Sequence, residues 1–212
     1  MAIIARFAKD NEARSGYYLV SKTRGIPMNT FEGYTQKLKR LVAFIQDQDL
    51  KNIVIVDLDG TLSDGRGRLH LLPTENTHLT KTWTEFNLAA VYDLPFKKTI
   101  KVVSMLRQAG ATIIILTGRS DIAESVTKNW LAINGVQYDF LFMRSHEDNR
   151  KDTVIKEEFV WSVGLSRITC AFDDSPEVIR TFRNLGITTY AVVDYGDVSK
   201  RPDINNDAHE KH

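Results

Sequence analysis

IVIVDLDGTLS, Ile53 to Ser63, decides how the rest of this 212-residue chain reads. It opens with four β-branched residues, Ile53 to Val56, after the charged Asp49 and Lys51. That pattern is a strand buried on both faces, at the centre of a parallel sheet. Asp57 and Asp59 follow. In an extended chain residues i and i+2 point to the same side, so both carboxylates address one spot while Leu58 turns away. Gly60 and Thr61 form a turn. In open α/β sheets chemistry gathers at the carboxyl edge of the strands. Two carboxylates stay close there only with a cation or a proton between them. The plainer alternative is an acidic loop that closes a strand.

Downstream, strands and helices alternate. A helix over 97–109 is stopped by Gly110, and ATIIIL (111–116) is a buried strand. A turn, Thr117-Gly118-Arg119-Ser120, leads into a helix over 121–133 capped by Ser120 or Asp121. A strand over 138–143, a helix over 151–163 and a strand over 167–172 come next. Asp173-Asp174-Ser175-Pro176 is a turn, with Ser175 capping a helix over 176–185 and Pro176 at its first position. A last strand spans 187–193. This alternation predicts an α/β fold, a Rossmann-like parallel sheet with helices on both faces. The domain is expected over 51–196, with a small cap insertion at about 63–95. Residues 1–50 read as an N-terminal appendage: two short strands (2–9 and 17–22) and a helix over 30–48 with apolar residues at helical spacing. Residues 197–212 read as a charged tail.

Composition excludes several classes. A net charge of +1 argues against a nucleic-acid coat or a membrane-surface protein, so anion binding must come from local clusters. No apolar run approaches the roughly 20 residues that span a bilayer, so no membrane partner is expected. Cys170, the single cysteine, lies in the apolar run ITCAF and reads as a buried spacer. A cytoplasmic setting fits it. Composition leaves the oligomeric state open.

Residues after the strands carry the chemistry. They are Asp57 and Asp59, then Thr117 with Gly118 and Arg119, then Lys151 in RKDTVIKEEF, then Asp173 and Asp174. Together they offer carboxylates for a divalent cation, a hydroxyl and cationic side chains. Oxygen ligands without Cys or clustered His favour Mg²⁺ over Zn²⁺. Gly60 and Gly65 are spaced like P-loop glycines, but Arg66-Gly67 stand where Lys-Ser/Thr is required.

DLDGT, LTGR, a later lysine and an Asp pair, in that order, resemble the haloacid dehalogenase-like (HAD) phosphohydrolases over roughly residues 53–195. The loop DGRGR and the run NRKDTVIKEEFVW resemble more closely the 3′-phosphatase domain of phage polynucleotide kinase–phosphatases. The resemblance implies that Asp57 is the nucleophile, forming an aspartyl-phosphate, and Asp59 the acid and base. It implies Mg²⁺ held by Asp57, Asp173 and Asp174, with Asp59 touching the cation through its carbonyl. Thr117 and the Gly118 amide would donate to phosphoryl oxygens, and Lys151 would balance charge. Arg66 and Arg119 would contact substrate phosphate, with Arg68, Arg144 and Arg150 as further candidates. Thr117 and Asp174 could instead serve only as caps, and Arg119 as a surface ion pair.

The reading is an Mg²⁺-dependent phosphomonoesterase, with a nucleic-acid 3′ end as substrate. The alternative substrate is a free nucleoside monophosphate, cleaved by a 5′- or 3′-deoxynucleotidase. Trp83, Phe86 or Tyr92 could stack on a base or belong to the core. A phospho-acceptor switch is the non-enzyme alternative, but it places its acidic pair after the first strand and lacks an acid/base like Asp59. A phage-encoded chain would work in the host cytoplasm.

Overall fold

The computed structural model describes residues 30–192. The strands expected at 2–9 and 17–22, and the charged tail at 197–212, lie outside them. In chain order the elements are α1 (Thr30–Asp47), β1 (Ile53–Val56), β2 (Ser63–Asp64), α2 (Thr84–Leu88), β3 (Leu94–Pro95), α3 (Lys97–Gln108), β4 (Thr112–Ser120), α4 (Glu124–Ile133), β5 (Phe140–Arg144), α5 (Asp152–Val163), β6 (Ile168–Asp173), α6 (Pro176–Asn184) and β7 (Thr189–Ala191). Five of the strands form one parallel sheet in the order β5-β4-β1-β6-β7. The fold is the expected α/β arrangement. β1 is central, with β4 on one side and β6 on the other. The chain's direction of winding reverses at β1, and that switch opens a crevice at the carboxyl end of the strands.

β1 is buried along its whole length because the alternation of its side chains serves two cores. Ile53 and Ile55 point into a cluster with Ile114, Phe142, Ala171 and the inner faces of α5 and α6. Val54 and Val56 point the other way, toward Val103 of α3, Trp130 and Leu131 of α4, and Ile113 and Ile115. Cys170 is buried on this second side, as a spacer should be.

Tyr34, Leu38, Leu41 and Ile45 of α1 belong to the same cluster as Ile53 and Phe159. Tyr34 meets Phe142 edge to face, with ring centroids 5.5 Å apart. The helical spacing of these residues therefore builds one face of the sheet domain.

Element ends differ from expectation for local reasons. β4 runs on to Ser120 through the expected Thr117–Ser120 turn, because its register against β5 slips between Thr117 and Ser120. β5 starts at Phe140, after Asp139 has tied itself to β4: its N–H donates to the Ile113 carbonyl and its carboxylate accepts from the Ile113 N–H, both at 2.9 Å. Ser175 caps α6, accepting from the Val178 N–H, with Pro176 at the first position. Residues 63–95 form the antiparallel ribbon β2–β3 around short helical turns and α2.

Phe159 is fully buried and packs against Phe142 at 4.8 Å between centroids. Phe159→Ala should cost about 3–5 kcal/mol of stability, the range for deleting a buried aromatic ring. Urea unfolding checks this, and a loss below about 1 kcal/mol would mean the core is not packed as described.

Candidate active site

Asp57 sits one residue past β1, with its N–H bonded to the Phe172 carbonyl of β6 at 2.9 Å. That bond pins the carboxylate at the mouth of the crevice. Asp173 ends β6, and the Ser175 N–H donates to its Oδ1 at 2.9 Å. Asp57, Asp173 and Asp174 each present an oxygen, and these oxygens lie within 4.8 Å of one another. Gly60 makes the approach of Asp174 possible. Its φ is +80°, and a Cβ there would stand 2.2 Å from Asp174 Oδ2.

One buried cation stands among the acids. Lys156 Nζ is 2.8 Å from Asp57 Oδ1, 2.9 Å from Asp173 Oδ2 and 3.0 Å from Asp152 Oδ2. Burial pushes the Asp57 carboxyl well above its ordinary range against the pull of Lys156, and Asp173 and Asp174 push it further. Asp173 is raised in the same way, by burial first. Asp152 goes the other way, because Lys156 and Arg144 overcome the cost of its burial. Lys156 is itself held charged by Asp152, Asp173 and Asp57, although burial disfavours its charge.

Asp59 belongs to a second charged group. Arg119 donates to it from Nε at 3.1 Å and from Nη2 at 2.5 Å, and Arg68 Nη2 also bonds its Oδ1. Burial alone would raise the Asp59 carboxyl, but the two guanidinium groups hold it far below the usual carboxylate range. Arg68 also forks onto Asp93, at 2.8 and 2.9 Å, and Asp93 accepts from Ser63 Oγ at 2.5 Å. Arg119 Nη1 donates to Thr127 Oγ1 at 3.1 Å. Both arginines are almost fully buried, so the surface ion pair considered for Arg119 is ruled out.

The last residues of β4 complete the crevice. Thr117 is buried, and its hydroxyl oxygen accepts from the Arg119 N–H at 3.1 Å. Gly118 has no room for a side chain: a Cβ would stand 2.6 Å from Asp152 Oδ1. Its carbonyl accepts from Arg144 Nε at 3.1 Å. Asp57, Asp59, Thr117, Gly118, Arg119 and Lys156 all line one open cleft, with Leu69, Trp83 and Phe86 on another wall.

Residues 51–198 match the family described as the polynucleotide kinase PNKP phosphatase domain. This chain belongs to that family. As a HAD-type phosphatase of the polynucleotide kinase class, it is a phosphoric monoester hydrolase. A protein of Autographa californica nuclear polyhedrosis virus, named as a bifunctional polynucleotide kinase/RNA ligase, is 30% identical over 140 residues, covering 64% of this chain and 18% of the viral one. Two solved structures of Pnkp1/Rnl/Hen1 assemblies, one named an RNA repair complex, contain a chain 32% identical to this one. The TM-scores are 0.57 and 0.55, over 70% of this chain and 47% and 44% of that chain. This chain therefore spans less than half the length of those relatives. A Clostridium difficile structure described as a phosphatase shares the fold at 12% identity, with a TM-score of 0.53 over 71% of this chain and 89% of its own. Among the described residues, no helix is long and apolar enough to cross a membrane.

Within this phosphatase-domain framework, several side chains sit elsewhere than the sequence suggests. Lys151 is exposed at the start of α5, outside the cleft, and Lys156 holds the position beside Asp57. Burial of Ile155, Lys156, Phe159, Val160 and Val163 marks the inward stripe of α5. A lysine on an apolar stripe was the available signal. Arg66 lies at the cleft but is exposed, forked onto Asp64 at 2.8 and 2.6 Å. Arg68, two residues on, turns inward. Arg144 is buried at the cleft and fully engaged: besides Gly118, it bonds the carbonyls of Asp148 and Arg150 and the Asp152 carboxylate at 3.2 Å. Arg150 is engaged by Asp148 and Glu158, away from the cleft. Of the three aromatic residues, Trp83 and Phe86 line the cleft, whereas Tyr92 is 85% exposed outside it. Asp93, Asp152 and Lys156 were not expected at the site.

Replacing Lys156 with Met should lower kcat/KM on an aryl phosphate by at least about a hundredfold, since it leaves buried carboxylates uncompensated. Lys151→Met should stay within about threefold of the parent. The opposite ranking in a steady-state assay would return the role to Lys151.

Proposed function

We propose that this domain removes 3′-phosphates from polynucleotide ends, with Mg²⁺, through an aspartyl-phosphate on Asp57. The observation that carries the reading is one cleft lined both by Asp57, Lys156 and the acidic pair and by two aromatic side chains, Trp83 and Phe86. Such a lining suits a phosphate joined to a nucleotide. The relatives support the same substrate class, as one is named a polynucleotide kinase/RNA ligase and others lie in an RNA repair complex.

Asp57, Asp173 and Asp174 fit a hard divalent cation: all three offer oxygen, their oxygens lie within 4.8 Å of one another, and burial raises the carboxyls of Asp57 and Asp173. Mg²⁺ bound there would screen the negative charge of Asp57 from that of the phosphate. The Asp59 carboxylate is turned to its arginines, which leaves its backbone carbonyl to join such a shell.

In the first step an Asp57 oxygen attacks phosphorus, and the bond from phosphorus to the 3′ oxygen breaks. Thr117 and the Gly118 N–H would donate to the phosphoryl oxygens, and Lys156 would fix the Asp57 carboxylate and pull against the upward push of burial on it. The leaving alkoxide takes a proton from Asp59. In the second step Asp59 takes a proton from water as the water attacks phosphorus, and Asp57 is released. Arg68 and Arg119 favour the ionised form that the second step needs. An incoming phosphate dianion opposes them and pushes the Asp59 carboxyl back up for the first. Arg66, exposed at the rim, is placed for the next phosphate along the strand.

EDTA should abolish hydrolysis and Mg²⁺ restore it. A dinucleotide 3′-phosphate should be hydrolysed with higher kcat/KM than a nucleoside 3′-monophosphate, and Arg66→Ala should shrink that margin, as should added salt. A strong preference for free 5′-mononucleotides would replace this reading with a nucleotidase, and full activity in metal-stripped protein would remove the cation from it.

A further inference from the structure

The cleft carries side chains that phosphoryl transfer does not use. Leu69, Leu72, Trp83 and Phe86 line it, and Asn87 lines the same wall. Trp83 is fixed in place: its indole N–H donates to the Thr77 carbonyl at 2.9 Å, and its ring meets Phe86 edge to face at 5.7 Å. One face of Phe86 is covered by the Arg68 guanidinium, 3.9 Å from the ring centre. Asn87 is 5% exposed, yet its side-chain amide makes no hydrogen bond to any described residue. Asp59, Thr117, Arg68, Arg119, Asp152 and Lys156 in the same cleft all have partners. The amide is not sealed from solvent and opens onto the cleft, where the edge of a ligand can take the place of water. Trp83 and Asn87 are four residues apart across the start of α2, so they share one side of that turn.

Resting on the polynucleotide reading above, we infer that Asn87 hydrogen-bonds the edge of the nucleobase on the substrate's terminal nucleotide, with that base lying against Trp83. A carboxamide carries one donor and one acceptor side by side. Adenine and cytosine show an amino donor beside a ring-nitrogen acceptor, and guanine and thymine or uracil a carbonyl acceptor beside a ring N–H. Turning the amide over by half a turn matches it to either pair. An aromatic face adds stacking that does not depend on sequence. Such a pocket needs a base but does not choose among bases, which suits an enzyme that repairs ends of any sequence.

The test compares 3′-phosphorylated oligonucleotides that end in each of the four bases with one whose terminal nucleotide is abasic. The unsubstituted enzyme should prefer the base-bearing ends by about tenfold in kcat/KM, with the four bases within about threefold of one another. Asn87→Leu, close in shape and apolar, should bring the ratio of base-bearing to abasic turnover below about threefold. Trp83→Ala should lower the same ratio. Because the readout is a ratio within one protein sample, partial misfolding of a variant does not imitate it. Equal turnover of abasic and base-bearing ends by the unsubstituted enzyme overturns the assignment, as does a ratio that Asn87→Leu leaves unmoved. Failure to hydrolyse any 3′-phosphorylated oligonucleotide, with rapid hydrolysis of sugar phosphates, overturns the polynucleotide reading as well.

Discussion

Lys156 is the cation on which the geometry of the site rests. It emerges from the apolar side of α5 and reaches Asp57 after β1, Asp173 at the end of β6 and Asp152 on its own helix. Three carboxylates around one ammonium leave an excess of negative charge, and Asp174 adds to it. Burial makes that excess expensive, and it pushes the Asp57 and Asp173 carboxyls above their ordinary range against the pull of Lys156. Removing Lys156 would leave the acids to repel one another in a site walled by the sheet. The stability of the domain and the ionisation of Asp57 therefore meet in one side chain.

Beside it, Asp59 and Asp93 alternate with Arg68 and Arg119 in a buried group of two acids and two bases. This group joins the segment 63–95 to the end of β4, because Arg68 and Asp93 come from the former and Arg119 from the latter. Each guanidinium spends its fork on more than one acceptor, which fixes its plane. Asp59 is consequently oriented and ionised even though it is only two residues from the raised Asp57. Two carboxylates so close in sequence end with opposite tendencies because burial, with Asp173 and Asp174, outweighs Lys156 at Asp57, while two arginines outweigh burial at Asp59.

The sheet was legible because its signals are periodic and local. Apolar runs such as Ile53–Val56 and Ile113–Leu116 can only be buried strands, and Gly110, Ser175 and Pro176 punctuate the helices between them. Asp57, Thr117, Asp173 and Asp174 were visible for the same reason, since each directly follows a strand. Lys156 was mistaken for Lys151 because both lie in one charged run, and only the phase of the helix separates an inward lysine from a solvated one. Arg68 was ranked below Arg66 because the loop folds as tight helical turns, where alternate residues do not keep to one side. Asp93, 34 residues from Asp59 in the chain, reaches it only through the arginines. No local pattern marks such a partner. Helix α1 showed its apolar stripe, but nothing in the stripe names the surface it covers.

The most direct measurement of the central claim is to trap the covalent step. On the proposed mechanism Asp59→Asn keeps Asp57 in place but removes the base that would activate water, so a rapidly quenched reaction with an aryl phosphate should leave one phosphoryl group on the protein. Peptide mass analysis should place it on Asp57, and Asp57→Asn should abolish it. A phosphoryl group on another residue, or full turnover by Asp57→Asn, would contradict the account.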